Sequence, residues 1–233
     1  MKDLTVSRKT TAEMRRDIAI LQAQHRDVVD AFHRVWYDAY FTHGMTYFEG
    51  VPLIKCPMDL WVYQELVFDL KPTLIIETGT AFGGSALFFA RQLEKLGAGS
   101  VISIDVTHPE TLPRHARITY LRGSSIDPTI VAMVTGRARA HERVMVVLDS
   151  DHSAAHVSAE LAIYAPLVTV GQFLVVEDTN INGHPVAIDW KGGPGPHAAV
   201  ETFLQGYPEF ERDPLAERYL LTMHPGGWLR RVR

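Results

Sequence analysis

Two adjacent carboxylates, Glu177 and Asp178, follow directly on the apolar run Phe173–Val176 in the stretch FLVVEDTNINGHP. Like charges side by side repel unless a cation stands between them. A second acidic group follows the apolar run Val144–Leu148 in VVLDSDHSAAH and carries Asp149, Asp151, His152 and His156. If the two runs are neighbouring strands, three or four carboxylates converge on one spot, with Asn180 and Asn182 close by. Hard oxygen ligands of this kind suit Mg²⁺ or a similar divalent ion. The alternative is a side-chain cation, Lys191 or an arginine, on one acid while another caps the loop. His152 is the candidate base, since an unperturbed imidazole titrates at about 6.5. His156 could support it, and His184 in the following loop is the other candidate.

The remaining strand ends carry chemistry of a different kind. ETGTAFGGSA, Glu77 through Ala86, places glycines at 79, 83 and 84 after an apolar run, and Ser85 can open the next helix. The spacing does not fit G-x-G-x-x-G, and Glu77 would repel a pyrophosphate, so a cofactor with a cationic amino group is expected rather than a dinucleotide. Asp105 ends the next run, where a carboxylate can accept both ribose hydroxyls. RGSSID then offers Ser124, Ser125 and Asp127 to an adenine edge, or as an ordinary helix cap.

Positioning these groups requires a particular scaffold. Apolar runs at Leu74–Ile76, Val101–Ile104, Ile118–Leu121, Val144–Leu148 and Phe173–Val176 alternate with helical patterns near 85–96, 128–140 and 154–165. That alternation predicts an α/β domain with a doubly wound, mostly parallel sheet, whose ligands bind beyond the carboxyl ends of the strands. Tyr219–Met223 and Trp228–Val232, around HPGG, are expected to form a C-terminal antiparallel hairpin at the sheet edge. Residues 59–70 predict a helix closed by Pro72. Upstream, Thr10 and Glu13 form a capping box for one or two helices over residues 10–43, in which Met14, Ile18, Leu21, Val28, Phe32 and Val35 keep a 4,3 spacing with His25 in the gap. This stripe fits either docking on its own domain or a seam between subunits. The expected division is an N-terminal helical extension, residues 1–45, and a catalytic domain, residues 46–233.

Bulk properties narrow the partner. The 233 residues are 46% apolar and 21% charged with a formal charge of −4, which predicts a globular fold and gives no electrostatic reason to expect nucleic acid. A small-molecule partner is expected. The single cysteine, Cys56, cannot form an internal disulfide, and MKDLTVSRKT lacks the apolar core of a signal peptide, so a cytoplasmic location is expected. No apolar run approaches the roughly 20 residues of a membrane span.

Taken in order, ETGTAFGGSA, VISIDV, GSSID, VVLDSDHSAAH and LVVEDTNINGHP resemble the cephalosporin hydroxylase and rhamnosyl O-methyltransferase family, over roughly residues 45–233. The resemblance implies the class I S-adenosylmethionine (SAM) methyltransferase fold, Rossmann-like in type. It also implies metal-assisted methyl transfer from SAM to a hydroxyl of a natural product, sugar or phenolic compound; separately, a homo-oligomer is expected. On this resemblance Glu77, Gly79 and Ser85 hold the methionine end, Asp105 the ribose, and Ser125 lies near the adenine. Lys55, in KCPMDLWVYQE, and Gln64 flank the cofactor. Glu177 and Asp178 match metal ligands, and the third ligand is Asp149 or Asp151. An analogy with catechol-type methyltransferases favours Asp149, placed between metal and cofactor, with His152 standing where those enzymes have a catalytic lysine. Tyr40, Phe41, Tyr47, Phe48 and Trp190 are candidate walls of a substrate cavity, with residues 179–196 as a lid. The competing classes are a nicotinamide-dependent oxidoreductase or hydroxylase-type enzyme on the same scaffold, and a non-catalytic SAM-fold subunit.

Overall fold

Continuous apolar runs bounded by helical segments can be buried only in a parallel sheet covered on both faces, and this is the arrangement found. The computed structural model describes residues 10–187 and 192–233, without the side chains of Tyr40 and His43. A small hairpin, β1 (Tyr47–Phe48) and β2 (Val51–Pro52), precedes the main strands: β3 (Leu74–Thr78), β4 (Ser100–Asp105), β5 (Ile118–Arg122), β6 (Val144–Leu148), β7 (Phe173–Val176), β8 (Phe210–Arg212) and β9 (Trp228–Arg231). These seven pair in the order β5-β4-β3-β6-β7-β9-β8. The first five run parallel, and β9 joins β7 antiparallel.

Period-2 alternation along each strand divides the core in two. Ile76, Ile104, Val146 and Leu174 pack on one side, with Val134, Leu161 and Phe203 from the helices α6 (Pro128–Ala138), α7 (Ala154–Tyr164) and α8 (Pro196–Gly206). Ile75, Val101, Val147 and Val175 pack on the other, with Val62, Phe89 and Trp228. This second layer belongs to α4 (Pro57–Leu70) and α5 (Gly84–Lys95). Pro57 opens α4, and Lys71 closes it with a left-handed cap at φ 47, before Pro72, which cannot continue a helix.

Register fixes what shares an edge. Thr78 is level with Ile104 and Leu148, and Leu148 with Val176, so Gly79, Asp105, Asp149 and Glu177 lie in one row at the carboxyl edge. Asp149 N–H donates to Thr78 O at 3.0 Å and Glu177 N–H to Leu148 O at 2.9 Å. The chain leaves β3 toward β4 and β5 and returns to β6, so the topological switch lies between Gly79 and Asp149. There the backbones nearly touch. A Cβ on Gly79, whose φ is +88, would lie 1.9 Å from Asp149 O, and one on Gly84 would lie 2.2 Å from Pro52 O. Glycine at both places serves the close approach of one backbone to another.

The C-terminal hairpin is not the expected one. β9 pairs with β8 at Phe210–Arg212, and Tyr219–Met223 forms no strand. Leu220 turns into the left-handed region at φ 65. The polar groups that follow are used by side chains: Met223 N–H donates to Asp59 Oδ2 at 2.9 Å, and Trp228 Nε1–H to Thr222 Oγ1 at 3.1 Å. A backbone donor held by a carboxylate is lost to a strand ladder.

The N-terminal pattern also breaks into parts. α1 (Thr11–Gln24) begins with the expected Thr10–Glu13 capping box, α2 (Arg26–Asp38) restarts at His25, and a short α3 (Tyr40–Gly44) follows. α1 docks on the C-terminal region, where Arg15 makes a bidentate pair with Asp213 at 3.0 Å and Gln22 reaches Glu217 at 2.9 Å. Ile18 is buried, whereas Leu21, Val28, Phe32 and Val35 stay exposed. Docking on its own domain therefore covers only the first part of the stripe. Burying such a side chain is worth about 1.5–3 kcal/mol, so an outward row of them is unusual. Among the described residues no helix is long and apolar enough to cross a membrane.

Candidate active site

The opening pair of carboxylates is resolved by divergence. Asp178 takes up φ 52, in the left-handed region, which sends its side chain away from that of Glu177. Glu177 turns inward and is buried: its Oε2 lies 2.6 Å from Lys55 Nζ, and its Oε1 accepts from Tyr63 OH at 2.7 Å. Lys55 Nζ also reaches Asp149 Oδ2 at 2.7 Å. One buried ammonium thus bridges two strand ends, supplied by the loop between β2 and α4. Burial opposes its charge, but Asp149, Glu177 and Glu77 more than offset this and raise its pKa. Burial and the charge of Glu177 push Asp149 up from the usual carboxylate range, against the pull of Lys55. The cation beside Glu177 in this structure is therefore Lys55, and both Glu177 oxygens are engaged, one by this ammonium and the other by Tyr63.

Asp178 looks the other way. Its carboxylate Oδ2 lies 3.4 Å from His152 Nε2. Asp149, His152 and Asp178, all half-buried, each offer one ligand atom, and the three atoms lie within 4.8 Å of one another. The position of Asp178 is fixed from behind by His224, whose Nδ1 accepts the Asp178 N–H at 3.0 Å. Burial lowers the pKa of His224 despite the nearby Asp59, so the neutral ring carries its hydrogen on Nε2, 3.5 Å from Glu177 Oε2 and 3.7 Å from Asp59 Oδ2.

Asp151 does not join this group. Its Oδ1 accepts from Ser153 N–H at 2.9 Å, shaping the loop ahead of α7, and it lines a cavity of about 340 Å³ with Asp105, Ser124, Ser125 and His156. Between the two candidates for the third ligand, the structure brings Asp149 to Asp178. His156 belongs to the second cavity, its Nε2 lying 3.1 Å from Ser125 Oγ. Asp127 acts as the N-cap of α6, accepting from Thr129 N–H at 2.8 Å. Asp105 accepts from Ala81 N–H at 2.9 Å and Thr107 N–H at 3.1 Å.

A narrow cleft beside the turn after β3 is lined by Lys55, Gly79, Thr80, Ala81, Ser85 and Asp149. At its base Glu77 is fully buried; Oε2 accepts from Ser103 Oγ at 2.6 Å, and Oε1 has no partner. Burial pushes its pKa up to about 7, against the pull of Lys55. An orphaned carboxylate oxygen at the head of a glycine turn suits a cationic donor. Gln64 is not part of this cleft. It lines a separate groove between α4 and α5, with Trp61, Phe68 and Lys95.

Other expectations are redistributed. His184 stacks on His197 with centroids 4.2 Å apart and lines a cavity beneath α1 and α2, away from Asp178. Asn180 is buried, bonded to His33 Nδ1 at 2.9 Å, and Asn182 donates to Gly193 O at 3.1 Å inside its own loop. Phe48 packs edge-on against Phe88 at 5.3 Å, and both Phe41 and Tyr47 are exposed. Trp190, Lys191 and the side chain of Tyr40 lie outside the described residues, as do 188–191 of the expected lid. The aromatic wall over the acids comes instead from α2: Trp36 and Tyr37 line a cavity of about 90 Å³ with Ile54, Cys56, Asp178 and His224. Tyr63 and these two α2 residues were missed because aromatic side chains at helical spacing read as core, and His224 because it lies in HPGG, which reads as a turn.

The Rhamnosyl O-methyltransferase/CmcI family matches residues 39–232. Curated relatives include a rhamnosyl O-methyltransferase of Mycobacterium leprae, 36% identical over 208 residues, 87% of this chain and 90% of that one. Another, from Mycobacterium bovis, is 36% identical over 209 residues, 87% and 84% of the two chains. Among solved structures, CmcI in its apo form superposes with a TM-score of 0.62 at 21% identity, covering 82% of this chain and 77% of that one. A CmcI structure with Mg and SAM gives 0.62 at 21%, covering 82% and 78%. At that identity the likeness establishes a shared class I methyltransferase fold.

Proposed function

The chain belongs to the Rhamnosyl O-methyltransferase/CmcI family, and on that premise we propose that it transfers a methyl group from SAM to a hydroxyl of a small molecule, assisted by a divalent cation such as Mg²⁺. The observation that carries this reading is the convergence of Asp149, His152 and Asp178 beside the glycine turn after β3. Two half-buried carboxylates facing one another fit a hard cation, and the orphaned Oε1 of Glu77 fits the ammonium of the methionine end. Asp105 is assigned to the ribose and Ser125 to the adenine, in the cavity they share. Relatives named for rhamnosyl methylation favour a sugar hydroxyl as acceptor.

A bound cation supplies Lewis acidity that lowers the pKa of the acceptor hydroxyl. Asp149 and Asp178 would hold it, and Lys55 keeps Asp149 in place from behind at 2.7 Å. His152 accepts the hydroxyl proton at Nε2, with Asp178 Oδ2 at 3.4 Å to stabilise the imidazolium. Trp36 and Tyr37 screen the group from water. Incubation with SAM, Mg²⁺ and a panel of glycosides, phenols and polyketide alcohols tests the reading by mass spectrometry. A gain of one methyl, abolished by chelation and restored by Mg²⁺, is expected; consumption of SAM that ignores chelator would refute the metal's role.

The state of Glu77 gives a pH signature. With its pKa near 7 in the free protein, the carboxyl is protonated in mild acid and must ionise to receive a cationic amine. Affinity for S-adenosylhomocysteine, which keeps that amine, is expected to rise by up to about tenfold per pH unit between about pH 5 and 7, and then level off. Titration calorimetry across that range checks it. Glu77→Gln should bind weakly with a flat profile, and a flat profile in the unsubstituted protein would contradict the assignment.

A further inference from the structure

α2 is inside out. The side it turns toward the domain carries buried His33 and half-buried Val29, Asp30 and Tyr37, while Val28, Phe32 and Val35 are 62%, 43% and 60% exposed. Ile20 and Leu21 extend the apolar row onto α1. None of Val28, Phe32 and Val35 lines a described cavity, and residues 1–9 offer only Met1, Leu4 and Val6 as large apolar side chains, too few to cover five. Phe32 rests against Trp36, centroids 6.2 Å apart, so this face lies directly behind the aromatic cover of the acid cluster.

We propose that the outward face of α2 is the contact between two copies of this chain, packed antiparallel about a two-fold axis close to Ala31. The charge pattern selects this occupant. Asp27 and Arg34 are both exposed and lie two helical turns apart, hence on the same flank of the apolar row. In an antiparallel pair identical flanks face each other, and an axis at Ala31 brings Asp27 within one residue, about 1.5 Å of rise, of Arg34 of the second copy. The isologous symmetry repeats the contact twice, and the small Ala31 at the crossing lets the axes approach. A lipid surface would call for an excess of lysine and arginine beside the apolar face. Here Arg26 and Arg34 are balanced by Asp27, Asp30 and Asp38. The inference does not depend on the reaction catalysed.

Sedimentation velocity and light scattering on the full chain, over a range of concentrations, test it. The unsubstituted protein is expected to associate, and Val28→Glu with Val35→Glu to halve its mass while the far-UV circular dichroism spectrum is unchanged, since both side chains face away from their own domain. Asp27→Arg leaves the flank wholly basic and Arg34→Asp leaves it wholly acidic. Each alone should weaken association by about tenfold or more through like-charge repulsion, and an equimolar mixture of the two should regain it. A monomeric unsubstituted protein, an association indifferent to the glutamates, or a mixture that stays dissociated would each overturn the proposal.

Discussion

Asp178→Ala is expected to lower methyl transfer by about 100-fold or more, the scale of losing a group that fixes transition-state charge, while leaving the protein folded. Asp178 is half-buried at a strand end and its side chain carries no core packing, so the melting temperature should move little. Alanine tolerates the left-handed φ of 52 somewhat less well than aspartate, so the backbone contributes at most a small loss. Asp149→Ala should be as damaging to activity but also to stability, because it takes one carboxylate from Lys55. Steady-state rates at saturating Mg²⁺, with thermal melts of the same preparations, separate the two effects. An Asp178→Ala enzyme with near-normal turnover would remove this carboxylate from the site.

Lys55→Met is expected to produce the largest loss of stability, about 3–5 kcal/mol, the usual consequence of leaving buried charge without its partner. The methionine matches the lysine stem in size, so packing is kept and the electrostatic effect is isolated. Asp149 and Glu177, at 2.7 and 2.6 Å from the ammonium, would then face each other uncompensated. The sign with pH follows. Without the ammonium, the folded-state pKa of Asp149, already raised by burial and Glu177, climbs further above its unfolded value. The folded variant therefore holds protons that the unfolded chain releases, and its deficit is smallest in acid below about pH 4 and grows as pH rises toward neutrality. Adding Glu177→Gln to Lys55→Met should recover part of the loss, since it removes one of the stranded charges. Urea unfolding at several pH values measures both. A deficit independent of pH, or a double variant weaker than the single one, would show that the lysine acts by packing alone.

The sheet was legible because each parallel strand is a continuous apolar run, buried on both faces, that stops at an acid or a glycine. The same feature exposed Asp149, His152 and Asp178, which follow strands level in register. Lys55 is different in kind. It lies 94 residues from Asp149 and 122 from Glu177, and no periodicity links a loop lysine to two distant strand ends; only the family resemblance put it near the cofactor. Glu177 and Asp178 look equivalent in sequence, and only the left-handed turn at Asp178, held by His224, assigns one to the core and the other to the cavity. The failed strand at Tyr219–Met223 has the same origin. Its apolar run is suitable, but Asp59 on α4 takes the Met223 donor, a long-range contact that outweighs local propensity. On α2 the spacing was right and left open which way the face turns, because a 4,3 pattern defines a face without saying what covers it.

The central claim is that Asp149 and Asp178 hold a divalent cation next to the methyl donor. Mn²⁺ binding followed by electron paramagnetic resonance, in the presence of S-adenosylhomocysteine, tests it most directly, comparing the unsubstituted chain with Asp149→Asn/Asp178→Asn. One bound ion per chain, lost in the double variant while S-adenosylhomocysteine still binds, is the predicted result. Undiminished Mn²⁺ binding by the double variant, or none by the unsubstituted chain, would contradict it.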